Sequence, residues 1–242
     1  MNGGGVGFLL DGRPVDALPG ETILAAAARH GVALPNLCHQ DGYRPDGNCR
    51  ACVVEVGGER ALAASCCRTP TTGMDVRTAT PRVRHAQRLV IELLVAATGR
   101  AAVDVPLRHD AGLARWARAL GVTGSRFAVR RAPAVDRSYP AITVDLSACI
   151  QCGRCVRACR EEQGNDVIGI AGRGHLARIV FDAGDPLGES SCVACGECVQ
   201  ACPTGALAPA QDAARAAPER SVDSLCPYCG VGCQVRWHVR GD

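Results

Sequence analysis

The chain has 242 residues, enough for one or two domains, and its formal net charge is only +3. Its 27 basic residues are all arginines and form no dense basic block, which argues against a nucleic-acid-binding surface. Only 3% of the residues are aromatic, so we expect small aliphatic cores. Such cores need further stabilisation by metal clusters or disulfides, for which 16 cysteines are available. The longest apolar stretch, residues 89–98, is too short to span a bilayer.

The cysteine pattern favours metal sites over disulfides. Many cysteines occur in C-x2-C clusters, a spacing that is typical of metal ligands. The N-terminus has no positively charged segment leading an apolar stretch, so we expect no signal peptide. Disulfide frameworks belong to oxidising compartments, and we therefore expect a cytoplasmic protein.

The N-terminal third predicts a β-hairpin, a helix and a second hairpin. Residues 8–10 and 14–16 flank a glycine-containing turn, and helix formers then run from Ile23 to His30, before Gly31 at the C-cap. Residues 53–56 and 60–63 flank Gly57-Gly58 as the second hairpin. These elements make up much of a β-grasp domain, which we place at residues 1–79.

Four cysteines of this domain have the spacing C-x10-C-x2-C-x13-C. On the stretches PNLCHQ, GNCRACVVEV and AASC, the chain resembles the [2Fe–2S] domain of the large peripheral subunit of respiratory complex I and its relatives. In that family the last ligand follows a serine, which favours Cys66 over Cys67, and we expect the other thiol to be free and half-buried. His39 is expected on the loop surface. The resemblance implies a [2Fe–2S] cluster on Cys38, Cys49, Cys52 and Cys66.

Residues 80–139 predict a helical connector, with helices at 81–99 and 111–120 and a linker at 126–139. Relatives of the complex I subunit hold a further [4Fe–4S] cluster here, on one His and three Cys. No cysteine lies between Cys67 and Cys149, so we expect that cluster to be missing and His85 and His109 to lie on the surface. The apolar stripe of the first helix is predicted at Val83, Leu89, Val90, Leu93 and Leu94.

Two copies of C-x2-C-x2-C-x3-C follow within residues 140–211. The spacing is typical of bacterial ferredoxins with two [4Fe–4S] clusters, in which the fourth cysteine of each run ligates the other run's cluster. A zinc ribbon is the alternative for a single copy, but the tandem arrangement argues against it. The predicted ligand sets are Cys149, Cys152, Cys155 with Cys202, and Cys192, Cys195, Cys198 with Cys159.

The last segment, residues 212–242, contains CPYCGVGC. It resembles the start of the molybdopterin domain of formate dehydrogenases, where three such cysteines and a fourth further downstream hold a [4Fe–4S] cluster. CVRACREEQGNDVIGIAGRG is also similar to the α subunit of NAD-dependent, molybdenum-containing formate dehydrogenase. The chain ends nine residues after the motif, so we expect an incomplete site that needs a ligand from elsewhere. Its cysteines are Cys226, Cys229 and Cys233.

The resemblance implies an α+β protein with a β-grasp [2Fe–2S] domain, a helical connector, a two-[4Fe–4S] ferredoxin domain and the start of a molybdopterin domain. It implies an electron-transfer module between a molybdenum formate-oxidising centre and a flavin/NAD-binding diaphorase subunit, with no catalytic residue in this chain. The molybdenum partner is a molybdopterin-domain polypeptide or a C-terminal region. The alternatives are the small diaphorase subunit of an NAD-linked hydrogenase, which CPYCGVGC argues against, and a structural zinc protein without a redox role.

Overall fold

A computed structural model describes residues 5–98, 112–131, 133–210, 219–228, 230–239 and 241. The chain forms two compact units, Met1–Ala210 and Gln211–Asp242. Helices and strands are mixed in small domains, which confirms the predicted α+β class. In the described residues, no helix has both the length and the apolar character needed to cross a membrane.

The first domain is built on a five-stranded sheet. In spatial order its strands are Arg13–Ala17, Val6–Leu10, Asp75–Arg77, Val53–Val56 and Ala63–Ala64. β1 (Val6–Leu10) and β2 (Arg13–Ala17) form the predicted hairpin, in register through Phe8 and Val15. β3 (Val53–Val56) pairs with the short β4 (Ala63–Ala64), so the second hairpin exists but its return strand begins later than predicted. The sequence analysis missed β5 (Asp75–Arg77), which joins β1 in parallel and β3 antiparallel.

Helix α1 (Ile23–Arg29) covers this sheet, as predicted. Thr22 caps the helix by accepting a hydrogen bond from the Ala25 amide at 3.2 Å. Ile23 packs with the strand residues Val54 and Val76 in an aliphatic core, and all three are fully buried. Burying apolar side chains on one face of the sheet stabilises the domain and holds the cysteine loops at its edge.

Helix α2 (Pro81–Thr98) begins as predicted, whereas the predicted Gly99 lies outside the described residues. Its apolar stripe was predicted in part. Val83 is buried and Val90 and Leu94 pack against the core, but Leu93 is 46% exposed, and the buried residues Ile91, Val95 and Ala96 were missed. Spacing of four residues extends this buried face to Gln87, whose Nε2 donates to the Val53 carbonyl at 3.1 Å. Packing against the first domain thus selected a face that hydrophobicity alone indicated only in part.

The second predicted helix is α3 (Gly112–Ala119), which packs on α2. Trp116 lies half-buried against their shared apolar core, in keeping with a packing role. His85 is exposed, as expected, and His109 lies outside the described residues.

The two cysteine runs lie in a domain of short strands and helices. β6 (Ile142–Val144) pairs with β9 (Leu207–Pro209), and β7 (Ile168–Ala171) pairs with β8 (Arg178–Phe181), both antiparallel. Helix α4 (Arg154–Arg157) follows the start of the first run and continues as a π-helical turn, Ala158–Glu162. Helix α5 (Glu197–Ala201) occupies the same place in the second run.

The second unit is a hairpin of β10 (Arg220–Leu225) and β11 (Gln234–Val239). The strands are antiparallel, and residues 226–233, which contain the CPYCGVGC motif, connect them. Most side chains of the strands are exposed, so this unit has little core of its own.

Candidate iron–sulfur sites

Four sulfurs from three segments meet in the first domain: those of Cys38, Cys49, Cys52 and Cys66. Hydrogen bonds from the Cys49 and Cys66 thiols lower the pKa of Cys38 to about 2. A hydrogen bond from Cys66 likewise lowers the pKa of Cys52 to about 6. The pKa values of Cys49 and Cys66 are raised in return, because their protons are held by the neighbouring sulfurs. The lowered pKa values favour the thiolate form of Cys38 and Cys52, which is the ligand form that metals need.

Backbone amides also point at these sulfurs. The amides of Asn48 and Cys49 donate to the Cys38 sulfur, and the Cys66 amide donates to that of Cys52. The loop curls tightly enough for this because Gly47 and Arg50 adopt positive φ angles of 63° and 56°. Such N–H donors stabilise negative charge on thiolate ligands and tune the potential of a bound cluster.

The structure places Cys66, rather than Cys67, with the other three cysteines. Cys66 is fully buried, and its thiol lies near enough to Cys38 and Cys52 for these two cysteines to raise its pKa. Cys67 is exposed, with its sulfur 3.6 Å from that of Cys66 and turned toward Gly47. This arrangement supports the choice made from Ser65, but the thiol left over is exposed rather than half-buried.

His39 does not lie on the surface as expected. Its side chain is only 15% exposed, and its Nε2 lies 3.3 Å from Asp41 Oδ1. Among the described residues its buried Nδ1 has no hydrogen-bond partner.

The first run brings together three of its own cysteines and one from the second run. Cys149, Cys152, Cys155 and Cys202 line a common cavity, with apolar walls that include Ile179 and Leu207. Burial raises the pKa of Cys152 to about 12 and that of Cys155 well above its ordinary value. The charge of Cys202 also raises the pKa of both thiols. The fourth cysteine of the second run therefore lies with the first three of the first run, as the spacing predicted.

The second run shows the reciprocal arrangement. Burial, together with the charges of Cys192, Cys195 and Cys159, raises the pKa of Cys198 to about 12. The Val167 amide donates to the Cys159 sulfur at 3.3 Å and fixes that side chain toward the second run. Both predicted sets of four cysteines are therefore brought together.

The two runs repeat one backbone conformation. Gln151 and Ala194 both have a φ of 56°, and each amide donates to the sulfur two residues earlier, Cys149 or Cys192, at 3.4 Å. A left-handed residue at this position turns the amide back toward the first ligand of its run. The repeat gives both sites the same kind of amide donor.

Sequence reasoning missed Arg130, which lies in the segment predicted to be a linker. Its guanidinium donates to the Cys149 carbonyl at 2.7 Å and to the Ala177 carbonyl at 3.1 Å. Burial raises the pKa of Cys149, and a hydrogen bond from Arg130 to its sulfur acts in the opposite direction. Arg130 therefore brings a positive charge to the first-run site, and this part of the segment is more than a linker.

The [2Fe–2S]-type site and the first-run site are neighbours. Asn48 Nδ2 donates to the Gln151 carbonyl at 2.7 Å, which ties the two ligand loops together. Leu37 and Ile150 pack with Cys38 and Cys152 in one apolar core shared with α2 and α3. Buried apolar side chains therefore lie between the two ligand groups.

Cys226 and Cys233 lie next to each other, at the two ends of the β10–β11 connection. The Cys226 amide donates to the Cys233 carbonyl at 2.8 Å, which closes the loop that contains the motif. Cys226 is half-buried and Cys233 is exposed, and Cys229 lies outside the described residues. Within the residues that can be described, no group of three or more His, Cys, Asp or Glu side chains is arranged to hold a single metal ion.

The three complete groups fit iron–sulfur clusters by their donor chemistry. Each offers four sulfurs, mostly buried and supplied with amide donors, and the first-run group surrounds a cavity. Four cysteines are the ligand set of both [2Fe–2S] and [4Fe–4S] clusters.

Three protein families match successive parts of the chain. Residues 5–81 match a 2Fe-2S iron-sulfur cluster binding domain. Residues 139–208 match the ferredoxin-like domain of NADH-quinone oxidoreductase subunit 3. Residues 219–242 match the molybdopterin oxidoreductase Fe4S4 domain. Domains of the predicted [2Fe–2S] and [4Fe–4S] types are therefore present in the predicted order.

Whole-chain similarity decides the family. A subunit of the NADH-quinone oxidoreductase of Rhizobium meliloti (strain 1021) is 34% identical over 93% of this chain and 27% of its own length. The NADH-ubiquinone oxidoreductase 75 kDa subunit of Reclinomonas americana is 31% identical over 98% of this chain and 34% of its own length. In the crystal structure of an NAD+-reducing [NiFe]-hydrogenase in the H2-reduced state, one chain is 31% identical, with a TM-score of 0.78 over 88% of this chain and 90% of that one. The chain belongs to the iron–sulfur subunit family of NADH-quinone oxidoreductases that includes the complex I 75 kDa subunit.

Within this family, the chain corresponds to the N-terminal iron–sulfur electron-transfer region. It spans only about a quarter to a third of the length of these curated relatives. The predicted family relationship to complex I is thus confirmed, whereas a specific relationship to formate dehydrogenase is a narrower hypothesis.

Proposed function

We propose that this chain is an electron-transfer module between a flavin/NAD-binding diaphorase subunit and a molybdenum centre that oxidises formate. When bound, iron–sulfur clusters supply one-electron carriers of tunable potential. The observation that carries the proposal is the continuity of the ligand groups: the Cys38 loop contacts the Cys149 run, and the two runs exchange their fourth cysteines. We assign one [2Fe–2S] and two [4Fe–4S] clusters to these groups.

The residues of this chain bind the clusters, shield them from water and tune their reduction potentials. Twelve cysteines in three groups are the proposed ligands, with the fourth position of the first group given to Cys66. Leu37 and Ile150 exclude water between the first two groups, which lowers the reorganisation that accompanies a change of charge. Amides such as that of Gln151 stabilise the ligand sulfurs.

Formate is favoured as the source of electrons by the C-terminal motif. CPYCGVGC lies in the segment that matches a molybdopterin oxidoreductase domain, and Cys226, Cys229 and Cys233 are proposed as ligands of a further [4Fe–4S] cluster when a fourth ligand is supplied. The molybdopterin-containing partner would then lie at this end of the chain, and the diaphorase partner at the Cys38 domain. We place the assembly in the cytoplasm.

The second candidate is the small diaphorase subunit of an NAD-linked hydrogenase. The likeness to a chain of an NAD+-reducing [NiFe]-hydrogenase, which covers nearly all of both chains, favours it. Both candidates require the same three clusters and a diaphorase partner, and they differ in the enzyme that supplies the electrons.

One experiment separates these candidates. The chain is purified anaerobically with its native partners, and EPR spectra are recorded after addition of formate, H2 or NADH to separate samples. Reduction of the clusters by formate and by NADH supports the formate assignment, and reduction by H2 in place of formate supports the hydrogenase assignment. A colourless preparation that contains zinc and no iron would overturn both and favour a structural zinc protein.

A further inference from the structure

A single buried arginine connects two of the proposed cluster sites. Arg157, at the end of α4, is only 3% exposed. Its Nη2 donates to the carbonyl oxygen of Cys38 at 2.5 Å and approaches that of Cys152 at 3.5 Å. One nitrogen thus contacts the backbone of a ligand from each of two groups that lie more than a hundred residues apart in sequence.

The rest of the guanidinium also binds backbone carbonyls. Nη1 donates to the Arg44 carbonyl at 2.5 Å, and Nε donates to the Gly153 carbonyl at 3.4 Å. Among the described residues, no carboxylate oxygen lies within the 4.0 Å of an ion pair. The side chain is therefore a buried cation whose hydrogen bonds are satisfied but whose charge has no carboxylate to oppose it.

A buried, uncompensated charge is costly, and proteins retain one only where something nearby offsets it. The thiolate groups on both sides are the available negative charges. The four thiolates of each group carry more negative charge than an iron–sulfur core carries positive charge, so each loaded site is anionic and becomes more so on reduction. Arg157 lies between these two groups, with its guanidinium on the carbonyl of one ligand from each.

We propose that Arg157 is a positioning and potential-tuning residue shared by the [2Fe–2S] site and the first-run [4Fe–4S] site. It holds the Cys38 and Cys152 loops at a fixed separation, and its charge favours the reduced form of both clusters and so raises both reduction potentials. The second-run site, whose ligands it does not contact, is not tuned. The inference rests on the proposed function, because it requires clusters at these cysteines.

The test is EPR-monitored redox titration of the anaerobically purified, full-length native chain and of Arg157→Lys and Arg157→Gln. We expect the potentials of the [2Fe–2S] cluster and the first-run cluster to fall from native to the lysine variant and again to the glutamine variant. Lysine keeps the charge but carries a single nitrogen, which cannot reach all four carbonyls. The potential of the second-run cluster should not change.

Arg44→Gln is the matched control. Arg44 lies at the same contact between domains, but it is exposed and paired with Glu161 at 2.9 Å. Its replacement disturbs the contact without removing a buried charge, and should leave all three potentials unchanged.

The outcomes separate the inference from the proposed function. If the native chain holds no iron–sulfur cluster, the proposed function fails. If the clusters are present but the glutamine variant leaves their potentials unchanged, or shifts all three alike, only the role of Arg157 is overturned. If the glutamine variant fails to assemble, the lysine variant decides, and unchanged potentials in the loaded lysine variant overturn the proposal.

Discussion

The hydroxyl of Tyr43 donates a hydrogen bond of 2.6 Å to Glu197 Oε1, across the contact between the first domain and the helix of the second cysteine run. Tyr43 is buried between the two small residues Ala158 and Ala201, so the ring fills the contact and the hydroxyl reaches its edge. The bond links the loop that carries Cys38 and Cys49 to the element that carries Cys198. All three proposed sites are therefore connected through side chains of one interface.

Replacing Tyr43 with phenylalanine should weaken this interface. The substitution removes a hydrogen bond to a charged group and leaves the ring, so we expect a loss of about 1.5 kcal/mol of stability. The measurement is anaerobic denaturant unfolding of the cluster-loaded protein. Tyr139→Phe is the control, because the hydroxyl of Tyr139 has no hydrogen bond within the described part of the chain. Equal losses in both variants would show that the Glu197 bond contributes nothing.

The same tyrosine predicts a pH dependence. Burial, together with the hydrogen bond to Glu197, raises the pKa of Tyr43 above its ordinary value of about 10. A group whose pKa is higher in the folded state contributes stability below its unfolded pKa and loses that contribution as pH rises further. The difference in stability between the native protein and Tyr43→Phe should thus be constant near neutrality and shrink above about pH 10. A constant difference up to about pH 11 would contradict the assignment.

The choice between the adjacent thiols predicts opposite results for two serine variants. Cys66→Ser should lose the [2Fe–2S] cluster, since the Cys66 thiol is buried near Cys38 and Cys52. Cys67→Ser changes an exposed thiol and should keep the cluster. Iron content and the visible spectrum of the reconstituted proteins measure the outcome. Loss of the [2Fe–2S] spectrum in Cys67→Ser alone would make Cys67 the ligand.

Local spacing predicted the ligand groups of the two cysteine runs, whereas the group in the first domain was predicted from a family resemblance. Each run is short, so its backbone conformation follows from nearby residues such as Gly153 and Gly196, and the exchange of the fourth cysteines is a property of the repeated pattern. The hairpin at Gly12 and the helix capped by Thr22 were predicted for the same reason, since their signals lie within a few residues.

Features that depend on distant contacts were not predicted. β5 has only three residues, too few for a pattern of polar and apolar residues to identify a strand, and it is paired by β1 and β3 on either side. Arg130 and Arg157 belong to a sequence in which all 27 basic residues are arginines, so composition gave no reason to select either. Their roles arise from carbonyl groups that only the folded chain brings to them.

The exchange of fourth cysteines predicts which cluster each variant loses. Cys202→Ser should lose the first-run cluster and Cys159→Ser the second-run cluster, each with about four fewer iron atoms per chain. The first-run site is the neighbour of the [2Fe–2S] site, so magnetic broadening of the reduced [2Fe–2S] EPR signal should disappear in Cys202→Ser and persist in Cys159→Ser. If each run ligated its own cluster, these two results would be reversed.

Arg130 predicts a change of potential at one cluster only. Its guanidinium donates to the Cys149 carbonyl and its charge lowers the pKa of the Cys149 thiol, and it has no described contact with the [2Fe–2S] group or the second run. Arg130→Gln removes a positive charge next to a ligand, which should lower the reduction potential of the first-run cluster and leave the other two unchanged. The adjacent Arg131→Gln is the control, because Arg131 is exposed and its charge is screened by water. EPR-monitored titrations of both variants make the comparison, and equal shifts in the two would show that a general surface charge, rather than the contact with Cys149, sets the potential.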